Sequence, residues 1–297
     1  MYEWKDKEIF YMSGYLNTNL LNYVKGVMGK TMSSVFIIDG RSGLGKTTLS
    51  SQIGCFLASE VARWKTKKYK KHFEPEFSLD NMTWTPDVFI EKLKHAKEGE
   101  VIILDESMIL SNRATMSEIN KAVVIMMSLI RSKKLFIIFN ANSMFDLDRN
   151  LPLHRADMLV HVYSIDDKFA SRGRYFVVPT SQGKLKKLFI LGKKFYDYSF
   201  ARPAFRDHFS SYFPFDDKEY EKRKQAAIET YFQDSGVSSS SRAIQQRDKA
   251  FVFLRELEQD VKSISKKCDI GERRIYEILK KQKENELKLK ELKPHLR

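Results

Sequence analysis

The sequence predicts an α/β domain, a parallel sheet covered by helices on both faces, followed by a small all-α module. Three observations carry this. Apolar runs of strand length (Ser34 to Asp39, Val101 to Leu104, Leu135 to Phe139 and Asp157 to Tyr163) alternate with longer stretches of helical character. Such alternation is what parallel strands with helical crossovers require. Residues 40–47, GRSGLGKT, sit between the first of these strands and a long helical stretch, which outlines one strand–loop–helix unit. The low-complexity segment SGVSSSS then separates this part from a short, charged, helical C-terminus. The expected organisation is a main domain over 1–234, a linker over 235–243 and a helical domain over 244–297.

In chain order, Tyr15 to Val27 reads as a short amphipathic helix before the first buried strand. A long helix is expected from Lys46 to about Trp64, ending in the basic run Lys65 to Lys71. Pro75 and Asp80-Asn81 frame a short extended segment. Thr85 then caps a helix with Pro86 in its first turn, and Gly99 stops it. A helix over Met116 to Arg131 precedes the strand Leu135 to Phe139. From Arg174 the pattern predicts a β-hairpin insertion over 174–191, turning at Ser181-Gln182-Gly183. An aromatic-rich stretch through Phe215 and a charged helix from Asp217 to Gln233 close the domain.

With 297 residues, 42% of them hydrophobic, the chain can bury a sizeable core, which argues against global disorder. A formal charge of +14 points to an anionic partner, nucleic acid first and an anionic membrane surface second. The two cysteines, Cys55 and Cys268, are far apart and lack metal-ligand spacing, so no disulfide framework is expected. No apolar stretch is long enough to span a bilayer, and the N-terminus lacks the apolar core of a signal peptide. A cytoplasmic location follows as the expectation.

GRSGLGKT satisfies G-x-x-x-x-G-K-[ST], and its context is a β-branched strand entering and a helix leaving. Gly40, Arg41, Ser42, Gly43, Leu44, Gly45, Lys46, Thr47 and Thr48 are the expected nucleotide-binding residues. Their backbone N–H groups and the positive end of the helix would cradle a phosphate. Lys46 is expected to reach the β- and γ-phosphates of ATP, and the Thr47 hydroxyl to ligate Mg²⁺. Asp105 and Glu106 end the strand VIIL. The first acid is expected to hold Mg²⁺ and the second to polarise the attacking water as a general base, which favours hydrolysis over phosphotransfer to a small molecule. The strand LFIIF ends in Asn140-Ala141-Asn142. Either Asn140 or Asn142 can sense the γ-phosphate, and the residues alone do not choose between them.

Together GRSGLGKT, VIILDES and FNANSMFDLDRNLPLHRADMLVHVY resemble the additional-strand, catalytic-glutamate class of P-loop ATPases. They are most similar to its zonula occludens toxin-like and FtsK/HerA-like members, over about residues 35–163. The resemblance implies a P-loop NTPase fold with a five-stranded core, the acidic strand beside a sensor strand, homo-oligomeric ring assembly and ATP-driven handling of DNA by a virus or mobile element. The usual sensor of those translocases is glutamine, and this chain offers asparagine. Ring assembly calls for an arginine acting on the neighbouring subunit's ATP. Arg113, Arg131, Arg149 and Arg155 lie in the right stretch, with Arg149 and Arg155 preferred because they follow the sensor strand.

Residues Ser263 to Lys281 have the spacing of a helix-turn-helix. Ile264, Cys268, Ile270, Ile275, Ile278 and Leu279 can face inward, with Asp269-Ile270-Gly271 as the turn. The second helix would present Glu272, Arg273, Arg274 and Tyr276 to the major groove of double-stranded DNA, with Lys280 and Lys281 near phosphates. An αα-hairpin used for assembly is the structural alternative. Three functions are thus open: a DNA motor, an ATP-switched DNA-binding adaptor, or an export or assembly ATPase acting on protein.

Overall fold

The structure is a computed structural model. It describes residues 2–4, 8–105, 133–165 and 173–233, with the single positions Val261, Glu272, Arg273, Ile275, Tyr276, Leu279 and Lys280. The chain divides into two compact units, Met1–Asn112 with Ile130–Asp234, and Arg113–Leu129 with Ser235–Arg297. In the second unit the six described positions from Glu272 to Lys280 are helical. There Ile275 is buried, while Arg273, Tyr276 and Lys280 are exposed.

The first unit opens with two short antiparallel strands, β1 (Tyr2–Trp4) and β2 (Glu8–Phe10). Helix α1 (Gly14–Gly29) leads to β3 (Ser34–Asp39), and α2 (Lys46–Tyr69) leaves the glycine-rich loop. Strand β4 (Met82–Thr83), helix α3 (Pro86–His95) and strand β5 (Val101–Leu104) follow. After β6 (Phe136–Ala141) come α4 (Asn150–His154), β7 (Met158–Tyr163), β8 (Arg174–Pro179), α5 (Lys184–Gly192), β9 (Phe205–His208) and α6 (Asp217–Gln233). As expected, α3 starts at Pro86, with the Thr85 hydroxyl accepting the Val88 N–H at 3.4 Å. The helix expected over Met116 to Arg131 lies outside the described residues.

The larger sheet has seven strands in the order β4-β5-β6-β3-β7-β8-β9. The first five are mutually parallel, and β6 lies between the loop strand β3 and the acidic strand β5. Their near-continuous apolar sequences are explained by burial on both faces. Phe36, Ile38, Ile103 and Ile138 join Leu16 and Leu20 of α1 and Ile53 and Leu57 of α2 in one core cluster. On the opposite parity, Phe139 meets Phe89 of α3 with ring centroids 5.6 Å apart.

Two expectations need correction. The sheet is not wholly parallel, because β8 pairs antiparallel with β7 and β9 antiparallel with β8. Nor do residues 174–191 form a hairpin. The first arm is β8, but Ser181-Gln182-Gly183 is a 3₁₀ turn that leads into α5. Leu185, Leu188, Phe189 and Gly192 recur at helical spacing and are all buried, so the apolar run serves a helix. Both edges of β8 are already taken by β7 and β9, which leaves no place for a returning arm.

Helix α2 runs from the loop through the core, and its Gly54 faces the Phe77 ring. A Cβ there would lie 2.3 Å from that ring, which is 3% exposed. Alanine is worth about 1 kcal/mol more than glycine in a helix interior, but overpacking a buried contact costs about 1–3 kcal/mol. Steric cost therefore wins. Gly54→Ala is expected to lower unfolding stability by about 1–2 kcal/mol, read by chemical denaturation. A stabilised variant would mean that Phe77 yields freely.

Candidate nucleotide site

The site is built where β3, β5 and β6 end together and α2 begins. The loop needs backbone that only glycine supplies cheaply. At Gly40, φ is +142° and a Cβ would sit 2.1 Å from the Val162 carbonyl oxygen, so the first turn can pass only without a side chain. Gly45, with φ +94°, packs so closely on Phe209 that a Cβ would lie 3.0 Å from that ring. Phe209 is held in turn from α2, because the buried Gln52 amide donates to the carbonyls of Ser210 at 2.9 Å and Tyr212 at 2.7 Å.

Lys46 is the first residue of α2. Its ammonium donates to the Gly40 carbonyl at 2.8 Å, the Arg41 carbonyl at 3.1 Å and Asn142 Oδ1 at 3.1 Å. These bonds hold the charge across the mouth of the loop. Asp105 follows β5 and is 2% exposed. Three donors converge on it. Thr47 Oγ1 lies 3.2 Å from both carboxylate oxygens, Asn140 Nδ2 donates to Oδ1 at 2.8 Å, and Tyr220 Oη donates to Oδ2 at 2.7 Å. The Asn140 amide also donates to Ser50 Oγ at 2.9 Å. Burial, then the Asp105 charge and the hydrogen bond to it, push the Tyr220 phenol well above its ordinary range, so it stays protonated and donates.

Behind the loop, the fully buried Asp39 ends β3. It accepts the Met144 N–H at 2.8 Å, His161 Nδ1 at 2.8 Å and the Tyr198 hydroxyl. Burial first and then Asp39 raise the Tyr198 phenol as well. This network ties the ends of β3, β6 and β7 together, so the loop starts from a fixed platform.

A cleft of about 410 Å³ opens over these groups. Among its lining residues are Lys46, Thr47, Thr48, Asp105, Asn140 and Asn142, with Ser42, Gly43 and Gly45 from the loop. Leu44 is buried beneath it, and Arg41 is exposed. Arg149 and Arg155 do not line the cleft. They flank α4, Arg149 exposed and Arg155 half-buried. Glu106, Arg113, Arg131 and Arg274 lie outside the described residues. The two asparagines, equivalent on sequence grounds, differ in place: Asn140 is bonded to the acid and Asn142 to the lysine.

Four further residues belong here. Ser50 lies one turn beyond Thr47 on α2, a spacing that could have flagged it. Tyr220, Glu221 and Lys224 come from α6 and also line the cleft, and nothing local in that charged helix announces them.

The donor set suits a small hard cation. A hydroxyl and a buried carboxylate share one approach, and Mg²⁺ characteristically takes one or two protein oxygens and completes its shell with phosphates and water. Consistent with that pattern, no cluster of three or more His, Cys, Asp or Glu suited to a metal cage occurs among the described residues. No helix among the described residues is long and apolar enough to cross a membrane.

No protein-family model matches the sequence, and no curated protein matches it significantly. Among solved structures, the chain is similar to B204, the DNA-packaging ATPase from Sulfolobus turreted icosahedral virus. That match has a TM-score of 0.32 at 16% identity, and covers 50% of this chain and 94% of that one.

Proposed function

We propose that this chain is an ATP phosphohydrolase, working as a homo-oligomer on double-stranded DNA for a virus or mobile element. One observation carries the ATP part. The buried Asp105 shares its carboxylate with Thr47 at the head of α2 and with Asn140 at the end of the intervening strand, beside a glycine loop closed by Lys46. In this reading the loop N–H groups and the start of α2 hold the β-phosphate, and Lys46 neutralises the β/γ oxygens. Mg²⁺, held by Thr47 and Asp105, supplies charge neutralisation at the same oxygens. Glu106, next to Asp105 in sequence, takes the proton of the water that attacks the γ-phosphorus. The β–γ bridging bond breaks, and ADP and phosphate leave. Asn140, locked to Asp105, serves as the sensor, while Asn142 positions Lys46. Arg149 and Arg155 are the arginines proposed to complete a neighbouring subunit's site. A cytoplasmic location belongs to the same proposal.

The DNA part rests on the net charge of +14 and on the C-terminal segment, where Arg273, Tyr276 and Lys280 are exposed on helical backbone around a buried Ile275. The test is ATP turnover with and without duplex DNA, on the full chain and on Arg273→Ala/Arg274→Ala. A motor shows DNA-stimulated turnover. The double variant keeps basal hydrolysis, binds DNA more weakly and loses up to about two units of salt slope, one per phosphate contact. An adaptor hydrolyses slowly and binds DNA best with a non-hydrolysable analogue. An assembly hairpin shows lost oligomers with DNA binding unchanged, and an ATPase acting on protein shows no DNA stimulation at all.

A further inference from the structure

We infer that Tyr220 is a positioning residue for the metal-binding carboxylate, so that α6 is a working part of the nucleotide site. This rests on the reading of Asp105 and Thr47 as the protein ligands of Mg²⁺.

Tyr220 arrives at Asp105 from 115 positions further along the chain. It is 6% exposed, and its ring is fixed by Trp84 at 5.9 Å and, edge-on, by Phe213 at 5.4 Å. Packing therefore aims the hydroxyl, which meets Oδ2 at 2.7 Å. On the other oxygen, Asn140 donates at 2.8 Å. A carboxylate held by a donor on each oxygen cannot swing about its Cβ–Cγ bond without breaking one of them. Its remaining lone pairs are then presented toward Thr47, which bridges both oxygens and lies on the cleft. Ligand carboxylates fixed in this way bind metal better, and loss of such an outer partner typically weakens metal affinity by about 10–100-fold.

The hydroxyl is not needed for packing, since phenylalanine would fill the same space between Trp84 and Phe213. Burying a phenol oxygen costs free energy unless it is bonded, and here the bond is to the acid. The same face of α6 brings Glu221 and Lys224 to the cleft, so Tyr220 does not reach the site by accident of a single side chain.

The experiment measures binding of a fluorescent ATP analogue to the full chain, first in EDTA and then across a Mg²⁺ titration. Tyr220→Phe is expected to bind the analogue normally in EDTA and to need about 10-fold more Mg²⁺ for the metal-dependent gain in affinity. Asp105→Asn is expected to lose that gain, and adding Tyr220→Phe to it should change nothing further. A hydroxyl that only latches α6 to the sheet would lower the melting temperature of Tyr220→Phe and leave its Mg²⁺ midpoint unmoved. That result overturns the inference, as would a tighter Mg²⁺ midpoint, which would make the phenol a competitor. If Asp105→Asn keeps the full metal-dependent gain, the metal-site reading itself falls and takes the inference with it.

Discussion

Lys46→Ala is expected to remove ATP binding and turnover together. The ammonium is the cation fixed at the loop mouth by Gly40, Arg41 and Asn142, and in the proposed complex it serves the β- and γ-phosphates. A hydrogen bond to a charged group is worth about 1.5–3 kcal/mol, so each lost phosphate contact weakens binding by about 10–100-fold. Turnover falls further, because charge on the transferring group grows toward the transition state. The deletion also frees two loop carbonyls and the Asn142 amide. A melting curve recorded beside the nucleotide titration separates a loosened loop from a lost phosphate contact. Lys46→Arg keeps the charge but not the point geometry, and should recover only part of the affinity. Full ATP affinity in Lys46→Ala would end the phosphate-loop assignment.

Glu106→Gln is expected to do the opposite, preserving binding while abolishing chemistry. Glutamine keeps the shape and leaves Asp105 and Thr47 untouched, so ATP with Mg²⁺ should bind as in the parent. Hydrolysis should drop by about 10²–10⁴-fold, the usual worth of a general base. Single-turnover measurements at saturating ATP isolate this step from product release. A loss smaller than about threefold would remove Glu106 from the role and favour the ATP-switched adaptor, in which slow hydrolysis is tolerable.

The parts of this protein legible in its sequence are those whose physics is local. The glycine loop, its strand and its helix are adjacent along the chain, and Asp105 is marked by the four apolar residues before it. Thr85 and Pro86 announce α3 in the same way, through a cap bonded three residues on. The misreading of α5 has an equally local cause. KLKKLFILG fits either a strand or a helix by period, and the absence of a free edge on β8 decides the matter. The order of strands, with β6 between β3 and β5, was implied by resemblance rather than by periodicity.

Sequence by itself thus determined the phosphate loop, the acid at the end of β5 and the apolar strands that aim both at one edge of a sheet. Only the tertiary structure decided which asparagine meets the acid and which meets the lysine. Two residues apart on one strand, they point to the same face, and their partners come from α2 and β5. It alone also brought Tyr220 to Asp105, because a hydrogen bond between residues 115 positions apart leaves no trace in either neighbourhood. Periodicity reports which face of an element is buried, and it carries no information about which distant element does the burying.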